Sequence, residues 1–415
     1  MGLAALLLIA LAVALFLRHR MSVEPSGGKG GDAARGGYLA AAGDCQSCHT
    51  MRGGKPYAGG RPIQTPFGTL YTPNITPDAE TGIGKWSPED FWRALHEGKS
   101  KDGSFLYPPF PYTNYTKVTR EDADAMAAFF KTVPPVRQPN KPHEMSFPYD
   151  KRALLAPWRA LYFKEGEYRN DPAQTPEWNR GAYLVQGLGH CNACHAPRNK
   201  LGAVTQDETA GGLIPVLNWY APSLTASRET GLGSWEIAEI VMLLKTGISN
   251  RGAVFGPMAE VVHQSLQHLT EADLAAMAVY LKSQREEDKP SEGGQRLTEG
   301  QGAQTMLRGA RVYKDRCAQC HQEGGEGVPR IYPPLADNEA IVMRNPVNAI
   351  RMVLNGGFPP GTAGNPRPYG MPPFAQLLSD EDVASVVTYV RGSWGNAAAP
   401  VSPVEVASAR GVPLD

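Results

Sequence analysis

No cysteine lies outside a single recurring motif, no excess of charge exists in either sign, and no nucleotide-binding glycine fingerprint is present. Lys and Arg number 41, Asp and Glu 41. That balance removes the usual electrostatic argument for nucleic acid as a partner. Without G-x-G-x-x-G after a strand there is no sign of a flavin or nicotinamide site. Long apolar runs are also missing, with one exception at residues 2–17, followed by Arg18-His19-Arg20. That run is short for a spanning helix and long for a signal core. A small-x-small site at Ala12-Val13-Ala14 would permit cleavage. Residues 1–20 are therefore expected to be a signal or a membrane anchor. The basic triplet after the run conflicts with the positive-inside rule for exported domains. The remaining length suits two to four domains, and 45 Gly with 36 Pro suits loop-rich ones.

All six cysteines fall in C-x-x-C-H: Cys45–Cys48–His49, Cys191–Cys194–His195 and Cys317–Cys320–His321. This spacing reads as c-type haem attachment. Two thiols bond the two vinyl groups of one haem, and the next residue offers an imidazole to the iron. A single C-x-x-C would also fit a redox dithiol or half a zinc site. Three copies, each with its His and together using every Cys, favour three haem c groups. Such attachment takes place outside the cytoplasm, in agreement with the apolar N-terminus.

The chain repeats itself around these motifs. Gly37-Tyr38, Gly181-Ala182-Tyr183 and Gly309 with Tyr313 precede them on helical stretches. A later helix opens at Thr119, Thr270 or Ser379, with an acid at Asp122, Asp273 or Asp382 in its first turn and an aromatic at Phe129, Tyr280 or Tyr389. Ser87-Pro88, Ser234 and Asn345-Pro346 open middle helices. Paired terminal helices around a haem are the plan of a small cytochrome c domain. The expected fold is all-α, with three tandem cytochrome c domains at 34–135, 176–285 and 305–395. A linker at 136–175 carries a short amphipathic helix, whose Trp158, Tyr162 and Phe163 pack between domains or dock a partner. Residues 396–415 are expected to be a polar tail.

An electron-transfer haem needs a second axial ligand, usually a Met thioether in a loop before the last helix. Met258, in Phe-Gly-Pro-Met, and Met371, in Tyr-Gly-Met-Pro-Pro, suit that place. Domain one has Leu106-Tyr-Pro-Pro-Phe110-Pro-Tyr there instead. The alternatives for its sixth ligand are Met145, Met126, His96, His143 and an open position. Met126 matches Met277 in register, which reads as core.

The stretches Tyr71-Thr-Pro-Asn-Ile-Thr-Pro-Asp78, Thr81-Gly-Ile-Gly-Lys-Trp86, Leu95-His-Glu-Gly98, Tyr112-Thr-Asn-Tyr115, Arg180-Gly-Ala-Tyr183, Gly256-Pro-Met258-Ala-Glu260 and Tyr369-Gly-Met371-Pro-Pro-Phe374 carry a resemblance. The chain resembles the triple-haem cytochrome c subunits of membrane-bound bacterial dehydrogenases for alcohols, aldehydes, gluconate and polyols. The resemblance implies a non-catalytic subunit on the periplasmic side of the cytoplasmic membrane. It would take electrons from a catalytic dehydrogenase subunit acting on CH–OH donors and pass them to ubiquinone or a terminal oxidase. Phe110, where many relatives have Met, and the N-terminus depart from the pattern. Two other readings stand beside it: a peroxidase-like enzyme using an open domain-one iron, and a free periplasmic shuttle.

Overall fold

The computed structural model describes residues 29–204, 209–227, 231–284 and 299–412; the expected signal or anchor at 1–20 lies outside them. In the first repeat, α1 (Lys29–Ala42) leads into the short α2 (Cys45–His49). There follow β1 (Pro62–Thr65), β2 (Gly68–Tyr71), α3 (Pro88–His96), α4 (Tyr112–Tyr115) and α5 (Arg120–Phe130). The connection holds β3 (Glu144–Met145) and α6 (Leu155–Tyr162). The second repeat runs α7 (Pro176–Tyr183), α8 (Asn192–His195), β4 (Gly212–Ile214), β5 (Trp219–Ala221), α9 (Ile237–Thr246), α10 (Pro257–Gln264) and α11 (Glu271–Lys282). The third runs α12 (Glu299–Arg316), α13 (Ala318–His321), α14 (Glu339–Val342), α15 (Val347–Asn355), α16 (Asp380–Arg391) and α17 (Pro403–Arg410).

Each repeat is organised by one helix crossing, and glycine makes it close. A Cβ on Gly36 would lie 1.9 Å from the carbonyl oxygen of Ala125, one on Gly181 1.9 Å from that of Ala276, and one on Gly309 2.2 Å from that of Ser385. No side chain fits at these distances, so α1, α7 and α12 can press directly onto α5, α11 and α16. The second helix of each pair starts where a hydroxyl caps it. Thr119, Thr270 and Ser379 accept from the amides of Asp122, Asp273 and Asp382. Those three acids do more than face a helix dipole. Each takes an Arg from the opposing helix: Arg35, Arg180 or Arg308. Met126 and Met277 fill the crossings at 1% and 2% exposure, burial that contributes about 1.5–3 kcal/mol each.

The second repeat carries one more residue than the first between its Tyr and its Cys, since Tyr38 precedes Cys45 by seven and Tyr183 precedes Cys191 by eight. A π turn at Leu184–Leu188 absorbs the extra residue.

Several local expectations are corrected. The fold is mostly helical but not all-α: β1, β2 and β3 form an antiparallel sheet and β4 and β5 a hairpin. Ser234 does not open the middle helix of repeat two. That helix begins at Ile237, and the Ser234 hydroxyl bonds Glu339 of repeat three instead. The connection after residue 135 is no free linker. β3 pairs with β2, and the Val136 carbonyl accepts from Asn74. Trp158 on α6 donates to the Leu201 carbonyl of repeat two, while Phe163 packs edge-on against Tyr112 of repeat one. The segment expected as a tail folds back as α17, with a Ser402–Glu405 capping box and Val401, Val406 and Ala409 buried on repeat three.

Among the described residues there are two hydrophobic cores. One runs continuously through repeats one and two; the other belongs to repeat three. Repeats one and two meet by reciprocal contacts. The Tyr38 hydroxyl donates to Asp273 at the start of α11, and the Tyr183 hydroxyl donates to Asp122 at the start of α5. Gln46, inside the first C-x-x-C, bonds Gln264 on α10 (3.0 Å), and Asn192, inside the second, bonds Asn114 on α4 (2.7 Å). Arg61 and Glu260 form a two-bond ion pair across the same seam. Contacts of this exchanged form are those of a two-fold pair. Repeat three attaches to repeat two by a polar seam: Asn348 with both backbone groups of Tyr220 (2.9 and 2.7 Å), Glu339 with Arg251 (2.6 Å), and Thr362 with the Thr246 carbonyl (3.0 Å).

Candidate haem-attachment sites

Each C-x-x-C-H sits in a single helical turn, which places its two thiols three residues apart on one face and the imidazole beside them. The six thiols form no disulfide. Burial pushes the Cys191 thiol up to about 12 and the Cys317 thiol up to about 11, and raises that of Cys45 as well. A redox dithiol requires the reverse shift.

The three histidines share one geometry. Nδ1 of His49 donates to the Pro73 carbonyl (2.8 Å), that of His195 to Pro222 (2.7 Å), and that of His321 to Pro333 (3.0 Å). A carbonyl oxygen only accepts, so Nδ1 carries the proton and Nε2 keeps its lone pair. This is the second contact that orients a metal-binding imidazole and fixes its tautomer. Burial also lowers the basicity of all three rings, which keeps them neutral. Sequence reasoning found the histidines and missed the prolines. A signal for them exists: each Pro follows a tyrosine, in Tyr71-Thr-Pro73, Tyr220-Ala-Pro222 and Tyr332-Pro333. Two vinyl-reactive thiols and one imidazole lone pair, repeated three times, are a donor set that fits a covalently held haem.

Met258 does not lie in a loop; it is in the first turn of α10, behind Pro257 and partly buried against the shared core. Just before it, Gly256 has φ 56°, and a Cβ there would meet the Trp219 ring at 2.7 Å. Met371 is held by two backbone bonds with Gly357 (3.0 and 2.8 Å). A Cβ built on Gly357 would lie 3.6 Å from the Phe255 ring, so the segments carrying Met258 and Met371 meet at the seam between repeats two and three.

Phe110 packs on the shared core as Met258 does, with its ring 5.3 Å from that of Tyr115. The Tyr115 hydroxyl donates to the Gly43 carbonyl (2.7 Å), just before Cys45. The Tyr115 ring also meets that of His190 just before the second motif (5.6 Å), so Phe110 packs on a residue that touches the approaches to both motifs. The four residues considered as replacements are placed elsewhere. Met126 is in the α1–α5 crossing. Met145 is paired with Gly68 in the sheet. His96 stacks on Trp92 (4.3 Å, 13°), donates to the Thr116 carbonyl (2.9 Å), and lines a cleft with Lys164, Glu165, Glu167 and Arg169. His143 accepts from the Tyr71 amide through Nδ1 (3.2 Å). Its proton is then on Nε2, and neither nitrogen has a lone pair to spare for iron.

The cytochrome c family model matches residues 33–134 and 306–394. The cytochrome c subunit of the quinone alcohol dehydrogenase of Gluconobacter oxydans is 42% identical over 378 residues, covering 87% of this chain and 78% of that protein. The gluconate 2-dehydrogenase cytochrome c subunit of Pantoea cypripedii is 41% identical over 398 residues, 91% of this chain and 89% of that one. The fructose dehydrogenase cytochrome subunit of Gluconobacter japonicus is 36% identical over 405 residues, 91% and 82%. Long similarity of this kind, around thiols and imidazoles arranged for haem, establishes that the chain belongs to the family of dehydrogenase cytochrome c subunits, components that transfer electrons and leave substrate chemistry to another chain.

Proposed function

We propose that this chain binds three haem c groups and relays electrons from a catalytic dehydrogenase subunit, acting on a CH–OH donor, to ubiquinone or a terminal oxidase. The work is done on the periplasmic side of the cytoplasmic membrane. In this reading three cytochrome c domains, at 34–135, 176–285 and 305–395, each carry one site. Cys45 and Cys48, Cys191 and Cys194, and Cys317 and Cys320 form the thioether bonds. His49, His195 and His321 are the axial imidazoles, and Met258 and Met371 the sixth ligands of the second and third sites. Each haem supplies one reversible one-electron couple. The observation that carries the proposal is the threefold imidazole-to-proline bond, because it prepares the same nitrogen lone pair beside two unpaired thiols three times over.

The second repeat is the middle member. Its motif faces repeat one through Asn192, and its Met258 segment faces repeat three through Phe255 and through Trp219, whose ring lies under Arg351. A relay ordered one–two–three follows, with no contact between the motif segments of repeats one and three needed. The test is the mass of the matured chain and what purifies with it. A gain of three haems and recovery with a dehydrogenase chain are expected; two haems or fewer would remove the three-site reading. Recovery of a fully loaded chain with no partner would favour a free shuttle.

A further inference from the structure

We propose that the haem of the first repeat has no protein sixth ligand and that its iron takes a small neutral π-acceptor ligand, carbon monoxide or nitric oxide, beside Phe110. The proposal rests on the three-haem reading above and concerns what repeat one lacks within it.

The internal symmetry of repeats one and two makes the comparison direct. α4 and α10 are counterparts, since Asn114 on α4 reaches the second motif as Gln264 on α10 reaches the first. Phe110 stands four residues ahead of Asn114 and Met258 six ahead of Gln264, both packed on the one core that the two repeats share. A phenyl ring has no lone pair to give. Met145 and Met126 are fixed in the sheet and in the helix crossing. His96 keeps a free Nε2 lone pair, since Nδ1 donates to the Thr116 carbonyl, but its ring is stacked on Trp92 at the charged cleft of Lys164 and Arg169. His143 has its lone pair engaged by the Tyr71 amide. Met51 follows His49 on the same strand of chain and is 38% exposed near Gly60.

The surroundings of Phe110 select the ligand class. Pro108, Pro109 and Pro111 flank it and offer no N–H. The nearby hydroxyls are already committed, Tyr107 to the Tyr149 carbonyl (3.0 Å) and Tyr115 to the Gly43 carbonyl (2.7 Å). The Tyr112 hydroxyl is buried without a partner, on a ring packed against Phe163 and Arg159. Apart from the Tyr112 hydroxyl this wall has no free donor to steady a bound anion or to help break an O–O bond, and it accepts a neutral diatomic.

The experiment uses the full matured chain. Haem content is counted first by the pyridine haemochrome spectrum. The dithionite-reduced protein is then titrated with carbon monoxide, and the ferric form is examined by electron paramagnetic resonance. The expected result is three haems, one carbon monoxide bound per chain, and a high-spin ferric signal from one haem in three. Phe110→Met should abolish carbon monoxide binding and raise the Met–iron charge-transfer band about 1.5-fold, from two such haems to three. Phe110→Leu, equally apolar, should keep the binding and shows that the first variant acts through its sulfur. Three low-spin haems that bind no carbon monoxide would overturn the proposal, as would binding unchanged in Phe110→Met. A low-spin haem that becomes high-spin only in His143→Ala would overturn it in favour of that residue. Fewer than three haems would overturn the three-haem reading itself, and this inference with it.

Discussion

Replacing Tyr183 with Phe removes one oxygen atom and nothing else from the seam between repeats one and two. That oxygen donates to Asp122, whose side chain is 4% exposed and also holds Arg35. The carboxylate stays buried and loses one of its donors. Hydrogen bonds to charged groups are worth about 1.5–3 kcal/mol, and the loss should fall in that range. Tyr38→Phe does the same to Asp273, which is 14% exposed and keeps two bonds from Arg180, so the loss should lie near the lower end. Arg180 also lies over the Tyr183 ring (5.8 Å), so the two sites are coupled and the double variant should depart from the simple sum of roughly 3–4.5 kcal/mol. Urea unfolding of the matured chain, followed by hydrogen exchange in peptides from each repeat, would measure this. Because one core runs through both repeats, peptides from repeat one and repeat two should lose protection together in either single variant, while repeat three stays unchanged. Tyr313→Phe is the control, since its hydroxyl bonds the Gln322 carbonyl inside repeat three; it should move that repeat alone. A shift below about 0.5 kcal/mol in Tyr183→Phe, or one confined to repeat two, would refute the reasoning.

Other outcomes follow from the same structure. Gly181→Ala forces a methyl against the Ala276 carbonyl and should destabilise by at least about 1–3 kcal/mol, whereas Gly300→Ala, with nothing within 4 Å, should be neutral or stabilising; thermal unfolding compares them. Asp273 is held below the usual carboxylate range: burial alone would raise it, but bonds from Arg180 and Tyr38 outweigh that. A lowered folded pKa contributes stability above about pH 4 that is lost as pH falls through the folded value, so acid unfolding of Tyr38→Phe should begin at higher pH than in the parent. In Met371→Ala one Met–iron signature should vanish and that haem's midpoint potential should fall; an unchanged visible spectrum and titration would remove Met371 as a ligand.

What the sequence disclosed and what it hid divide along chain distance. Thr119, Thr270 and Ser379 could be read as helix starts because a cap and its acid are three residues apart. The partners of those acids could not, because Arg35, Arg180 and Arg308 come from a helix far earlier in the chain. The exchanged tyrosines left a trace: Arg-x-x-Tyr begins repeats one and two, and repeat three has Arg308-x-x-Arg311 in its place. Ser234 had the look of a cap, but tertiary pairing with Glu339 claims its hydroxyl. The C-terminal helix was legible after all in Ser402-Pro-Val-Glu405, a capping box with Pro at its first position. The prolines that orient the histidines lie 24, 27 and 12 residues beyond them, a spacing too irregular to stand out.

The exchanged contacts between repeats one and two carry a consequence for direction. In a perfectly two-fold pair an electron would rest on either half equally, and nothing would drive it one way. Any slope along this part of the chain must come from the places where the halves differ. One is Phe110 opposite Met258. Another precedes the two motifs, where Asp44 and His190 occupy matching left-handed positions. Burial pushes Asp44 up to about 7 and His190 down to about 4. In the three-haem reading, these mismatched residues are where the surroundings of the two haems would differ.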